Sequence, residues 1–83
     1  MNEANVTVLY FARIAELTGT RSETLALPEP ATGTQLLAQL RQRHPALQPL
    51  KALRLAVNHT HAPAGVSLSA GDEVAVFEPV TGG

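Results

Sequence analysis

Residues 28–45 read PEPATGTQLLAQLRQRHP, an amphipathic segment held between proline stops, and the rest of the chain arranges itself around it. Proline lacks the N–H that a β-ladder needs, so Pro28 and Pro30 are expected to take the chain out of a sheet. Thr32 stands three residues before Gln35, the spacing of a capping box, in which each side chain satisfies the other's orphan backbone N–H. A helix is therefore predicted from about Gly33. Leu36, Leu37 and Leu40 fall on one face, with Gln39, Arg41 and Gln42 around the remainder, a stripe suited to docking on a sheet. The residue before a proline avoids helical dihedrals, so the helix is expected to stop ahead of Pro45.

Strands are predicted on both sides of this helix. Residues 5–12 (NVTVLYFA) are rich in β-branched and aromatic residues and contain neither Gly nor Pro. Period two sets Val6, Val8 and Tyr10 on one face and Thr7, Leu9 and Phe11 on the other. Phe11 is thus either covered by the fold or left for a partner. Residues 14–17 look like a helical turn that Gly19 ends, and residues 21–27 alternate as a second strand able to pair with the first. Beyond the linker around Gln48 and Pro49, residues 53–58 (LRLAVN) alternate as a third strand, with Asn58 marking a turn. Residues 61–68 are the least informative and read as a short edge strand and a turn. After a turn at residues 69–71, residues 72–79 (DEVAVFEP) form the last strand, with Val74 and Val76 inward and Ala75 and Phe77 outward. The one long crossover is the helix, which gives an α+β roll: a mixed sheet of four to five strands with one main helix on one face.

Composition narrows the function. Eighty-three residues allow a single domain, and 45% apolar against 16% charged residues is the balance of a folded chain. The net charge of −1 is spread among scattered arginines and acids, with no basic patch to suggest nucleic acid. No cysteine is present, which removes disulfides, thiolate metal sites and a thiol nucleophile, and points to an intracellular protein. Neither a signal sequence nor a membrane span is legible, so a cytoplasmic location is expected. Phosphate-loop motifs do not occur. His59 and His61 could face the same way from a strand, but zinc sites need three or four protein ligands, and surface histidines at a turn are the simpler account. Asp72 and Glu73 are neighbours that a strand would point to opposite sides, so they cannot act together as an acid/base pair.

What remains is the tail, where Phe77, Pro79 and Val80 lead into Thr81, Gly82 and Gly83. Two glycines without side chains let the backbone enter a narrow channel and present a carboxylate there. The stretches VTVLYFARIAELTG, LRLAVN and GDEVAVFEPVTGG together resemble the small subunit of molybdopterin synthase across nearly the whole chain. The length and the spacing from the acidic turn to Gly-Gly are closer to that family than to its shorter thiamine-pathway relative. The resemblance implies a ubiquitin-like β-grasp fold and a sulfur-donor subunit without catalytic side chains of its own. It further implies that a ubiquitin-activating-type adenylyltransferase uses ATP to adenylate Gly83, while the chain itself binds no cofactor. A sulfur donor then converts Gly83 to a thiocarboxylate, which delivers sulfur to a cyclic pyranopterin precursor in the large subunit. On this basis Gly83 is the reacting residue, Gly82 and Thr81 thread the tail, and Phe11, Phe77, Pro79 and Val80 meet the partner. Two positions depart from the family pattern. Glu78 stands where a proline commonly precedes Pro79, which either loosens the exit or supplies a charge contact. Ala15 stands where an arginine is often found, and whether Arg13 replaces it is left open. A sulfur carrier for thiamine or tRNA thiolation, a ubiquitin-like modifier joined through Gly83 to lysines, and a passive interaction domain are the alternatives.

Overall fold

The computed structural model describes residues 2–79. In chain order the elements are β1 (Glu3–Tyr10), α1 (Ala12–Thr18), β2 (Ser22–Pro28), β3 (Ala31–Thr32), α2 (Gly33–Arg43), a 3-10 turn (Pro45–Leu47), β4 (Arg54–Val57), β5 (Thr60–Ala62), β6 (Ser67–Leu68) and β7 (Glu73–Phe77). Five strands form one mixed sheet in the order β2-β1-β7-β4-β5, while β3 and β6 pair separately. β1 runs antiparallel to β2, with Val6 opposite Leu25, and parallel to β7, with Val8 opposite Val74. This is the β-grasp roll that the sequence predicts.

The core lies between the inner face of the sheet and α2. Val6, Val8, Leu25, Leu27, Leu55, Val74 and Val76 from the strands meet Leu36 and Leu40 from the helix, all buried. Alternation along β1 and β7 therefore places apolar side chains inward as period two requires. The helix starts where its capping box sets it. Thr32 Oγ1 accepts from the Gln35 N–H, and Gln35 Oε1 accepts from the Thr32 N–H.

Several boundaries differ from the sequence reading, each for a physical reason. β1 begins at Glu3 because its ladder with β2 extends to the Glu3–Pro28 pair, and it ends at Tyr10 because Phe11 serves as the N-cap of α1. Residues 14–17 belong to a full two-turn helix ended by Gly19, whose φ of 77° is the left-handed conformation that glycine adopts at no steric cost. Pro28 stays in the ladder as the last residue of β2, an edge strand where a missing N–H is tolerated. Pro30 is followed at once by β3, so the chain leaves the main sheet but pairs briefly with β6. The 3-10 turn was not legible. It buries Leu47, and Arg41 Nη1 holds it by donating to the carbonyl oxygens of Leu47 and Leu50, both at 2.7 Å.

Candidate functional site

β7 occupies the centre of the sheet, so the chain emerges from the middle of the molecule rather than from an edge. Parallel pairing of β1 with β7, with Tyr10 opposite Val76, makes both strands end on the same side. One residue further along each strand stand Phe11 and Phe77. Phe11 is 51% exposed, and Leu17, one and a half turns along α1, is exposed as well. Phe77 is half-buried on the outer face of the sheet, where His61 from β5 meets its ring edge-on at 5.3 Å between centroids. Pro79 is half-buried beyond it. The open alternative for Phe11 thus resolves towards exposure. Val80, Thr81, Gly82 and Gly83 lie outside the described residues.

The corner between β1 and α1 is strained. Ala12 has φ of 49°, a conformation that an L-residue with a Cβ adopts at a cost. That corner swings Phe11 out of the ladder and sets α1 over the end of the sheet. An open groove of about 800 Å³ follows, lined by Leu9, Phe11, Ala15, Gly19 and their neighbours.

At the exit itself Arg13, the second residue of α1, meets Glu78, the first residue after β7. Nε donates to Oε1 at 3.0 Å and Nη2 to Oε2 at 2.6 Å, a two-pronged ion pair. Glu78 therefore makes a charge contact within its own chain. The pair lines a second groove, of about 420 Å³, together with Pro49, Leu50, Lys51, Ala52 and Pro79. The sequence marks Glu78 as a departure and leaves open whether Arg13 replaces the arginine absent at Ala15, but a link across 65 positions has no local signature.

The histidines are divided by the fold. His59 has φ of 73° in the turn between β4 and β5, whereas His61 belongs to β5 and packs on Phe77, a role not foreseen. Among the described residues no group of three or more His, Cys, Asp or Glu is placed to hold a metal ion. Asp72 opens β7 as a turn residue, accepting from the Ser69 N–H at 2.8 Å and from Asn58 Nδ2 at 3.1 Å.

A polar cluster ties β1, β2 and α2 together. The Tyr10 hydroxyl donates to Glu23 Oε2 at 2.5 Å, His44 Nε2 meets the same oxygen at 2.6 Å, and Arg43 Nε donates to Oε1 at 2.8 Å. Burial pushes the Glu23 carboxyl up, but hydrogen bonds from Tyr10 and His44 and the charges of His44 and Arg43 outweigh it and hold it below the usual range. Burial, and then the bond to Glu23, push the Tyr10 phenol well above its ordinary value. The cluster holds a helix to a sheet.

No helix among the described residues is long and apolar enough to cross a membrane. The model of the ThiS family matches residues 8–83. The human molybdopterin synthase sulfur carrier subunit is 40% identical over 82 residues, spanning 94% of this chain and 93% of its own length. Among solved structures, Haloferax volcanii small archaeal modifier protein 1 superposes with a TM-score of 0.83 at 30% identity, covering 93% of this chain and 99% of that one. A complex of subunits 1 and 2 of molybdopterin-converting factor from Helicobacter pylori contains a chain that matches with a TM-score of 0.63 at 25% identity, covering 95% and 99%. With its sheet order, its central last strand and nearly all of its length accounted for, the chain belongs to the ThiS family and groups within it with the molybdopterin synthase sulfur carrier subunits.

Proposed function

We propose that this protein carries sulfur in molybdenum cofactor biosynthesis, with the α-carboxyl group of Gly83 as the carrying group. The observation that supports this most is the match to a named sulfur carrier subunit over almost the full length of both chains. The chemistry begins with activation, because a carboxylate is a poor electrophile. Its oxygen attacks the α-phosphorus of ATP on an adenylyltransferase, pyrophosphate leaves, and the resulting mixed anhydride carries AMP as a good leaving group. A persulfide-type donor attacks the acyl carbon and expels AMP. Cleavage of the acyl disulfide by a second thiol then leaves a thiocarboxylate, ionised and nucleophilic at neutral pH as thiolates are. The chain supplies position and sulfur, while the large synthase subunit supplies the site in which a cyclic pyranopterin precursor accepts it. Phe11, Phe77 and Pro79 provide apolar surface beside the exit for that subunit, continued by Val80. Thr81 and Gly82 form the thread. The Helicobacter pylori complex of subunits 1 and 2 of molybdopterin-converting factor supports a large-subunit partner.

The test is to incubate the chain with the cognate activating enzyme, ATP and a sulfur donor, and to follow its intact mass. Exchange of one oxygen for sulfur at Gly83 is expected. Isopeptide products on lysines of other proteins, without that exchange, would favour a second reading as a protein modifier, which the likeness to the Haloferax volcanii modifier makes worth testing.

A further inference from the structure

The groove at the exit joins three features: an ion pair, the end of the central strand, and the beginning of the segment that must reach a partner. The pair is not there for stability. Arg13 and Glu78 are 57% and 34% exposed, and contacts of that kind are screened by solvent and salt and add little to folding. Its anchoring is nevertheless firm on both sides. Ile14, next to Arg13, is buried in the core, and Val76, two residues before Glu78, is fully buried in the middle of the sheet. Two-pronged geometry also fixes direction as well as distance, since both carboxylate oxygens are engaged by different nitrogens.

Resting on the sulfur-carrier reading, we propose that Arg13 is a positioning residue which, through Glu78, sets the direction in which the chain leaves β7 towards its partner. The lever is long for its size. Four residues beyond Pro79 can extend at most about 14 Å, so a change of direction of about 20° at Glu78 moves the far end by up to roughly 5 Å. A spread of that size must be narrowed as the tail enters the partner, a cost borne by docking and not by the chemical step. Setting the direction before docking removes part of the ordering cost that binding would otherwise bear. An ion pair does this in a salt-dependent way, whereas a proline at the same position would do it through a fixed φ.

Four variants test the proposal: Arg13→Gln, Glu78→Gln, the charge-swapped pair Arg13→Glu with Glu78→Arg, and Glu78→Pro. Each is assayed as the carrier substrate of the activating enzyme, with KM and kcat measured at low and raised ionic strength. Melting temperature is measured alongside, and amide order parameters are recorded at Glu78. Both single changes to Gln should raise KM about two- to five-fold with kcat and melting temperature unchanged, and should lower the order parameter at Glu78. The swapped pair should recover KM, and Glu78→Pro should recover it while abolishing the salt dependence. A swapped pair as defective as the two single changes combined would mean that the residues meet the partner separately, which overturns the proposal. Sulfur loading with unaltered KM in Arg13→Gln would overturn it alone, whereas a wild-type chain that never accepts sulfur would overturn the carrier reading beneath it.

Discussion

Gly33 shows how closely one residue can be specified. A Cβ at this position would stand 2.5 Å from both the Ala64 carbonyl oxygen and Leu55 Cδ1, because the first turn of α2 is pressed against the loop before β6, where the Gly33 N–H donates to the Val66 carbonyl at 2.9 Å. In an ordinary helix Gly→Ala gains about 1 kcal/mol. Here Gly33→Ala should instead destabilise by about 1–3 kcal/mol, since a backbone carbonyl cannot move aside, and chemical denaturation would read the sign directly. Glu23 makes a second residue-scale prediction. Its folded pKa lies below its unfolded one, so its contribution to stability is complete above the usual carboxylate value of about 4.3 and is lost as pH falls through the folded value. The stability gap between wild type and Glu23→Gln should be about 1–3 kcal/mol at pH 7 and shrink below pH of about 4. An equal gap at pH 7 and pH 3 would rule out the charged network as its source. Neither position was legible beforehand. Gly33 read as a helix start and Glu23 as one residue of an alternating strand, because clashes and networks depend on neighbours that the chain brings together from far away.

Elements were legible in proportion to their length. α2 announced itself through the Thr32–Gln35 cap and the Leu36–Leu40 stripe, and β1 and β7 through alternation, because each repeats a period several times. The two-residue strands β3 and β6 repeat nothing, and the 3-10 turn at Pro45–Leu47 is too short to show a face. The turn joining β4 and β5 is a middle case. Asn58 signalled it, but the positive φ of both Asn58 and His59, at 49° and 73°, defines a tight two-residue type I′ hairpin loop in which the second place favours glycine. His59→Gly should therefore raise stability by about 0.5–1 kcal/mol, visible as a higher melting temperature. The lost contact to Glu73, at 3.5 Å from a side chain 88% exposed, offsets little of this.

For the whole molecule, the sequence was most informative about architecture and the position of the exit, and least about how the exit is held. The main strands follow from alternation and the mixed sheet from a single long crossover, whereas the central place of β7 comes from the fold. The meeting of Arg13 with Glu78, by contrast, exists only once β1 and β7 lie side by side. All buried apolar side chains of the core cluster lie between Ala4 and Val76. Deleting Gly83 should accordingly abolish sulfur acceptance while leaving the melting temperature unchanged, and a large loss of stability would contradict that separation of scaffold from working end.

The central place of β7 carries one more consequence, for biosynthesis. Translation produces this strand after every other described element, yet β1 and β4 have no shared neighbour until it is inserted between them. Chains abandoned on the ribosome before residue 73 therefore lack the keystone of their sheet and are left as targets for proteolysis. Closure of the sheet therefore waits for residues 73–77, and copies truncated ahead of them cannot complete the fold.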